Sequence, residues 1–260
     1  MTGERLPSIY DHPKWYDLVY GSDWKAEFDF LTESFQTFAS GKVQSVFEPA
    51  CGTGRLLFRL GKSGFKVAGN DLNPAAIQYC NQRLEKHGLP ASTTVGDMCD
   101  FKLSAPVDAA FNLVSSFRHI IGLQRAEEHL QCMSRALRPG GIYLLGFHLS
   151  PTQVEPTESE RWSATRGHLT VNTSMQLADR DWNRRLEKYQ LQFDVYTPTD
   201  QKTVKDLINF QMYTKQDFEK LLERVPEFDI LATFDFHFDL EQPVPFDEEA
   251  EDLVFVLQKR

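Results

Sequence analysis

The stretch Val43-Gln44-Ser45-Val46-Phe47-Glu48-Pro49-Ala50-Cys51-Gly52-Thr53-Gly54-Arg55 decides the fold. A short apolar run ends in an acidic residue and a Gly-x-Gly turn, and Leu56, Leu57 and Leu60 follow at helical spacing. The pattern predicts strand, tight loop, helix. Glycine reaches positive φ freely and lets the backbone approach a ligand where a side chain would block it. The helix start offers amide donors and a dipole that favours a negative group. A dinucleotide fingerprint requires a third glycine for close helix–strand packing, and here that position is Leu57. Glu48, four residues before Gly52, would repel a pyrophosphate but suits an ammonium or a sulfonium-bearing ligand.

Outward from the turn, strands and helices alternate. Phe65 to Gly69 reads as a second strand ending in Asn70-Asp71-Leu72, and Asn73-Pro74 as a helix cap followed by proline at the first helical position. Ala76, Ile77, Cys80 and Leu84 keep helical spacing. Asp71 lies at the distance from the glycine turn at which a carboxylate hydrogen-bonds both ribose hydroxyls. A third strand, Ser92 to Val95, ends in Gly96-Asp97-Met98. Asp97 could accept from an adenine amino group while Met98 packs on the ring; the alternative is a turn aspartate beside a core methionine. A fourth strand, Ala109 to Leu113, runs into Val114-Ser115-Ser116-Phe117-Arg118-His119. Helix 124–137 follows, and Arg138-Pro139-Gly140-Gly141 is expected to turn the chain into a fifth strand, Ile142 to Phe147. Such alternation implies an α/β fold with a doubly wound, mostly parallel sheet whose ligands sit at the carboxyl ends of the strands. Glu48, Asp71, Asp97 and Ser115 all fall on that rim.

Beyond Phe147 the pattern changes. Residues 150–166 are polar and read as an excursion. Three period-two segments follow, Leu169 to Leu177, the Tyr189-Leu191-Phe193-Val195 alternation, and Thr203 to Tyr213. One apolar face suits an antiparallel sheet lying on another layer. We read 151–212 as an inserted β cap, and 1–150 with 213–260 as the core, 1–41 forming an N-terminal lid. Trp162, Tyr189, Tyr196 and Tyr213 are the expected cap lining. Thr214-Lys215-Gln216-Asp217 is a capping-box start, and Phe228 to Phe236 and Leu253 to Leu257 are two closing strands, which makes seven in the main sheet.

A net charge of −9 over 260 residues argues against a nucleic-acid backbone or an anionic membrane as partner. The four cysteines show no Cys-x-x-Cys spacing, and no signal pattern or apolar run of membrane-spanning length is present. Free thiols in a reducing cytoplasm are the expectation. No His/Asp/Glu set has metal-ligand spacing.

With these residues in place the chain resembles the class I S-adenosylmethionine (SAM) dependent methyltransferases over nearly its whole length. The matching signals are Glu48-Pro-Ala-Cys-Gly-Thr-Gly54, Gly69-Asn-Asp-Leu-Asn-Pro74, Gly96-Asp-Met98 and Leu137-Arg-Pro-Gly-Gly141. A finer resemblance is to small-molecule N-methyltransferases acting on amino sugars and glycine-like amines. It rests on Tyr16-Asp17-Leu18-Val19-Tyr20 and Ser115-Ser116-Phe117-Arg118-His119. The resemblance implies that Glu48 with Ala50, Gly52, Thr53 and Gly54 holds the methionine part of SAM, and that Arg55 meets its carboxylate. Asp71 and Leu72 would bind the ribose, Asp97 and Met98 the adenine, and Ser115 would complete the rim. Tyr16 and Tyr20 would close over the sulfonium, whose charge aromatic faces tolerate.

Methyl transfer is an in-line displacement that needs alignment and exclusion of water, and proximity supplies roughly 7–11 kcal/mol of such a barrier. A base is required only if the nucleophile arrives protonated. His119 is the candidate base and Tyr20 the candidate catalytic aromatic; His12 and His148 are weaker alternatives to His119. The expected activity is methylation of a small-molecule amine or hydroxyl, leaving S-adenosylhomocysteine, with a homodimer left open. A non-catalytic SAM or nucleoside binder and a dinucleotide-dependent oxidoreductase are the competing readings.

Overall fold

The structure, a computed structural model, describes residues 8–22, 24–151 and 159–260. In chain order the elements are α1 (Pro13–Tyr20), α2 (Lys25–Thr37), β1 (Ser45–Pro49), α3 (Leu57–Lys62), β2 (Lys66–Asp71), α4 (Pro74–Lys86), β3 (Thr93–Val95) and β4 (Val107–Asn112). Then come α5 (Leu123–Ala136), β5 (Leu137–His148), β6 (Ser159–Arg166), β7 (Leu169–Asp181), β8 (Leu186–Tyr196) and β9 (Gln201–Gln211). The chain ends with α6 (Lys215–Glu223), β10 (Phe228–Phe234) and β11 (Asp252–Lys259). Single 3-10 turns lie at Ile9–Asp11 and Ser116–His119.

Seven strands form one sheet in the order β10-β11-β5-β4-β1-β2-β3. The pairs among β5, β4, β1, β2 and β3 are parallel, whereas β11 runs antiparallel to both β5 and β10. This is the doubly wound, mostly parallel sheet that the sequence predicts. Strand alternation feeds two apolar layers, because successive side chains point to opposite faces. Val46, Ala109, Phe111 and Leu144 pack with α2, α3 and α4 through Phe30, Leu31, Leu57, Leu60 and Cys80. Phe47, Ala110, Tyr143 and Leu145 pack on the other side against α5 and α6 through Leu130, Met133, Phe218 and Leu221.

Local chemistry fixes the helix starts. Asn73 accepts from the backbone N–H of Ala75 and Ala76, with Pro74 as the first helical residue of α4. Thr214 and Asp217 form the reciprocal capping box of α6.

The second sheet is antiparallel in the order β6-β7-β8-β9. It has four strands rather than the three expected, since Ser159–Arg166 pairs along its whole length with β7. That strand escaped the sequence reading because only Trp162 and Ala164 break a polar run. The preceding part of the excursion, residues 152–158, lies outside the described residues. Arg138-Pro139-Gly140-Gly141 is also not a separate turn; it is absorbed into β5, whose register with β4 shifts there. The apolar face of the second sheet, Val171, Leu191, Phe193, Val195 and Ile208, packs on Ile9, Leu18 and Val19 of the N-terminal segment.

Two predictions follow from this packing. Gly54 has φ +67° and a Cβ placed there would lie 2.2 Å from Cys80 Sγ, so Gly54→Ala is expected to cost about 1–3 kcal/mol and to lower the melting temperature by several degrees. Shrinking the neighbour in Gly54→Ala/Cys80→Ala should restore part of that loss. His129 is sealed in the core, its Nδ1–H donating to the Met98 carbonyl at 2.8 Å and its Nε2 accepting from Tyr143 Oη at 2.9 Å. Burial lowers its pKa to about 4. The unfolded chain therefore binds a proton on this residue below pH ~6.5 while the native state does not until about pH 4. Stability should fall by roughly 3 kcal/mol between those limits, and urea titrations of His129→Gln against the parent should show a flatter slope over that window.

Candidate active site

A cavity of about 810 Å³ opens at the carboxyl ends of the parallel strands, roofed by the second sheet and the N-terminal segment. The loop after β1 forms its floor. Ala50, Gly52 and Gly54 all take left-handed backbone, at φ 51°, 52° and 67°, a conformation that is strained for Ala50 and free for the glycines. Gly52 N–H donates to Asp71 Oδ2 at 2.9 Å, and Asn73 N–H donates to Asp71 Oδ1 at 2.8 Å. These bonds oppose the burial that raises the Asp71 pKa, and each oxygen retains a lone pair for a ligand. Asn73 in turn donates to the Tyr10 carbonyl at 2.7 Å, which ties the lid to this corner.

An aromatic row closes one side. Tyr10 and Tyr16 ring centres lie 5.5 Å apart, Tyr16 and Tyr20 4.5 Å, and Tyr20 and Trp162 6.1 Å. Burial raises the Tyr16 pKa to about 12 and that of Tyr20 further, so both hydroxyls stay protonated. The helix carrying them is anchored from below by Asp17, which is buried against Arg83 Nη2 at 2.5 Å, accepts from Thr53 Oγ1 at 3.2 Å and pairs with Arg166 at 3.3 Å. These partners outweigh burial and lower the Asp17 pKa.

A second cavity of about 560 Å³ adjoins the first and shares Tyr16, Tyr20, Ala50, Gly52 and Thr53 with it. Glu48 and Arg55 line this smaller space. Among the described residues Glu48 Oε2 and Arg55 Nη1 are buried without a hydrogen-bond partner, while Arg55 Nη2 pairs with Glu27. Burial pushes the Glu48 carboxyl well above its usual pKa. An unpartnered carboxylate and guanidinium atom on the walls of one cavity are complementary to an α-amino acid zwitterion.

The remaining predicted residues divide. Leu72, Met98, Ser115 and His119 line the larger cavity. Asp97 does not: its Oδ1 accepts from Cys99 N–H at 2.8 Å and its Oδ2 is held by Arg125 at 2.5 Å. Gly54 is covered by Cys80 and serves the close approach of α4. In the cap, Trp162 and Tyr189 face the cavity, Tyr196 lies outside its lining, and Tyr213 is core, stacked on Phe117 at 5.2 Å. His119 sits on the 3-10 turn after β4, with Nε2 3.2 Å from Tyr10 Oη and Phe210 against the ring. Enclosure first, then the neighbouring Arg118 charge, lowers its pKa to about 4.

Several lining residues carried no decisive sequence signal. Arg118 and Arg180 both pair with Glu187, which is only 2% exposed, and Arg118 Nε donates to the Gln211 carbonyl at 3.1 Å. His148, at the end of β5, bonds through Nδ1 to Asp252 of β11. The strand position of His148 was legible; its partner comes from more than 100 residues away. Among the described residues no cluster of three or more His, Cys, Asp or Glu side chains could hold a metal ion, all four cysteines are free and buried, and no helix is long and apolar enough to cross a membrane.

Residues 46–141 match the family model described as a methyltransferase domain. A dTDP-4-amino-2,3,4,6-tetradeoxy-D-glucose N,N-dimethyltransferase of Saccharopolyspora spinosa is 24% identical over 85% of this chain and 88% of its own length. Among solved structures, DesVI of Streptomyces venezuelae superposes with a TM-score of 0.79 at 19% identity, covering 96% of this chain and 98% of its own. SAM-bound CalS10, an amino pentose methyltransferase from Micromonospora echinaspora, gives 0.74 at 18% identity over 99% of both chains. The residues present fit SAM: the unpartnered Glu48 and Arg55 atoms suit its methionine end, and Asp71 suits its ribose.

Removing Arg118 breaks a buried ion pair at the seam between rim and cap. Arg118→Met is expected to destabilise by about 3 kcal/mol, the lower end for such a loss because Arg180 remains on Glu187. A shift of the urea midpoint without a change in slope would register it.

Proposed function

We propose that this chain, which is a class I SAM-dependent methyltransferase, moves the methyl group to the amino nitrogen of a sugar-sized acceptor held under the cap. The unpartnered Glu48 and Arg55 beside the Asp71 corner carry the cofactor half of this reading. The acceptor half is supported by the amino-sugar dimethyltransferase relative and by the larger cavity's lining, which mixes aromatic faces with Glu160, Glu251 and Asp252. Carboxylates around a low-dielectric cleft attract an amine.

SAM when bound supplies a methyl group on a positively charged sulfur. The protein's task is to align and to dry the site. Glu48 receives the cofactor's ammonium and Arg55 its carboxylate, while the free lone pairs of Asp71 accept the ribose hydroxyls. Met98 packs beside the base and Ser115 closes the rim. Tyr16 and Tyr20 put aromatic faces toward the cation and exclude water. His119, neutral at physiological pH and bonded to Tyr10, holds the lid against the turn after β4 and offers the acceptor a polar contact. Residues 1–41 act as the lid and 151–212 as the acceptor-selecting cap.

Isothermal titration with SAM and S-adenosylhomocysteine tests the cofactor half. Asp71→Ala should weaken both by about 10–100-fold, the worth of one hydrogen bond to a charged group. Turnover of SAM with free and nucleotide-linked amino sugars tests the rest. Binding without turnover of any amine would favour the non-catalytic binder, and affinity for NADH without affinity for SAM would sink the proposal.

A further inference from the structure

A primary amine with an ordinary pKa arrives as an ammonium ion, which has no lone pair with which to attack. Something must take that proton. His119 is poorly placed to do so: it neighbours the Arg118 guanidinium, its pKa is lowered to about 4, and its Nε2 meets Tyr10 Oη. A base that weak leaves the proton on the amine.

The same cavity contains a second imidazole. Sheet order decides which half of the rim faces which ligand. Glu48 and Asp71 end β1 and β2, and β5 and β11 lie beyond β4 on the opposite side. The carboxyl end of β5 therefore faces the acceptor half of the cavity, and His148 and Asp252 both line it there. The two residues are register partners across the β5–β11 ladder, and the imidazole Nδ1 meets the Asp252 carboxylate. A carboxylate only accepts, so in the neutral ring Nδ1 carries the hydrogen and Nε2 keeps its lone pair. His148 backbone N–H donates to Ser115 Oγ at 3.2 Å, and Ser115 holds left-handed backbone at φ 52°. The strand end is thus pinned from β4 and β11 together. Around His148 stand Asp252 and Glu251 from the β11 side, the Ser115 hydroxyl from β4 and the Phe236 ring after β10. Across the cavity are Arg118 and His119 on the 3-10 turn, and Glu160 and Glu187 from the cap. Arg118 and Arg180, the guanidiniums in the same lining, both pair with Glu187, whereas His148 pairs with Asp252.

We propose that the His148–Asp252 pair is the proton acceptor for the incoming amine, an inference that rests on the amine-methylating reading above. The ammonium proton passes to His148 Nε2, and Asp252 holds the ring in place and carries the compensating charge, the logic of an imidazole–carboxylate pair. The freed nitrogen lone pair forms the N–C bond as the C–S bond breaks, and that electron pair goes to sulfur. His148 then returns its proton to solvent through its exposed edge.

The test has a readout independent of turnover. In the intact protein, imidazole nitrogen NMR should assign the neutral His148 ring as the Nδ1–H tautomer, and Asp252→Asn should disturb that assignment. An Nδ1 found unprotonated in the parent's neutral ring overturns the proposal. With dTDP-3-amino-3,6-dideoxy-α-D-glucopyranose as probe acceptor, His148→Gln should lower kcat/KM at pH 7 by about 10²-fold or more, with SAM affinity unchanged. The deficit should shrink as pH rises and the amine deprotonates itself. A cross-strand latch predicts instead a pH-independent loss, or none, and either result rejects the pair as base. If the parent protein binds SAM yet methylates neither the probe nor any other amine, the amine reading fails on its own, while the NMR assignment still judges the pair.

Discussion

The bond from Gly52 N–H to the Asp71 carboxylate is the constraint from which the site is built. It ties the loop after β1 to the end of the neighbouring parallel strand β2. The loop can reach Asp71 only by turning through left-handed backbone at residues 50, 52 and 54. Two of those positions are glycine, and at Gly54 any side chain would also collide with Cys80 on the next helix. Drawing the loop toward β2 leaves Glu48 lining a cavity with an unanswered carboxylate oxygen. A buried carboxylate without a partner costs more than most native contacts return. Its persistence is intelligible as a site whose cation arrives from outside, with the rise in its pKa as the sign of that unmet demand.

The cap meets this rim through charge and aromatic surface. Glu187 takes both Arg118 from the turn after β4 and Arg180 from β7, so one buried carboxylate fixes the second sheet against the first. Buried ion pairs contribute little net stability, because desolvation offsets the attraction. Their directional geometry does set register. Here that register determines which aromatic residues of the cap face Tyr20 and His119.

The sheet was readable because β1, β4 and β5 carry apolar runs bounded by turn signals, and α4 and α6 carry their caps in their own sequence, at Asn73-Pro74 and Thr214 to Asp217. The rim residues Glu48, Asp71 and Ser115 were readable for a related reason: strand ends in such sheets face the ligand whatever the detail. Strand β6 was missed since its sequence is mostly polar, and its pairing comes from β7 rather than from its own pattern. Sequence places Asp97 at a strand end but cannot show that Arg125, on α5, pairs with its carboxylate. Tyr213 misled; it lies next to the cap in sequence and yet stacks inside the core. What escaped is what depends on long-range partners, and Arg118–Glu187 and His148–Asp252 are both of that kind.

Two histidines in one cavity are distinguished by their neighbours rather than by their position along the chain. His119 stands beside a guanidinium and under aromatic rings, where a positive imidazole is opposed by both charge and lost solvation. His148 stands at the end of β5 beside the Asp252 carboxylate, with its side chain 43% exposed. Environments that differ in sign give two identical side chains separate work, one as a neutral hydrogen-bonding strut and the other as a proton carrier. The division also follows the sheet. The strut hangs from the turn after β4, where lid, cap and rim must be held together, whereas the carrier ends β5 on the side away from the cofactor corner. A proton removed there leaves toward solvent without crossing the space between Glu48 and Asp71, the proposed cofactor corner.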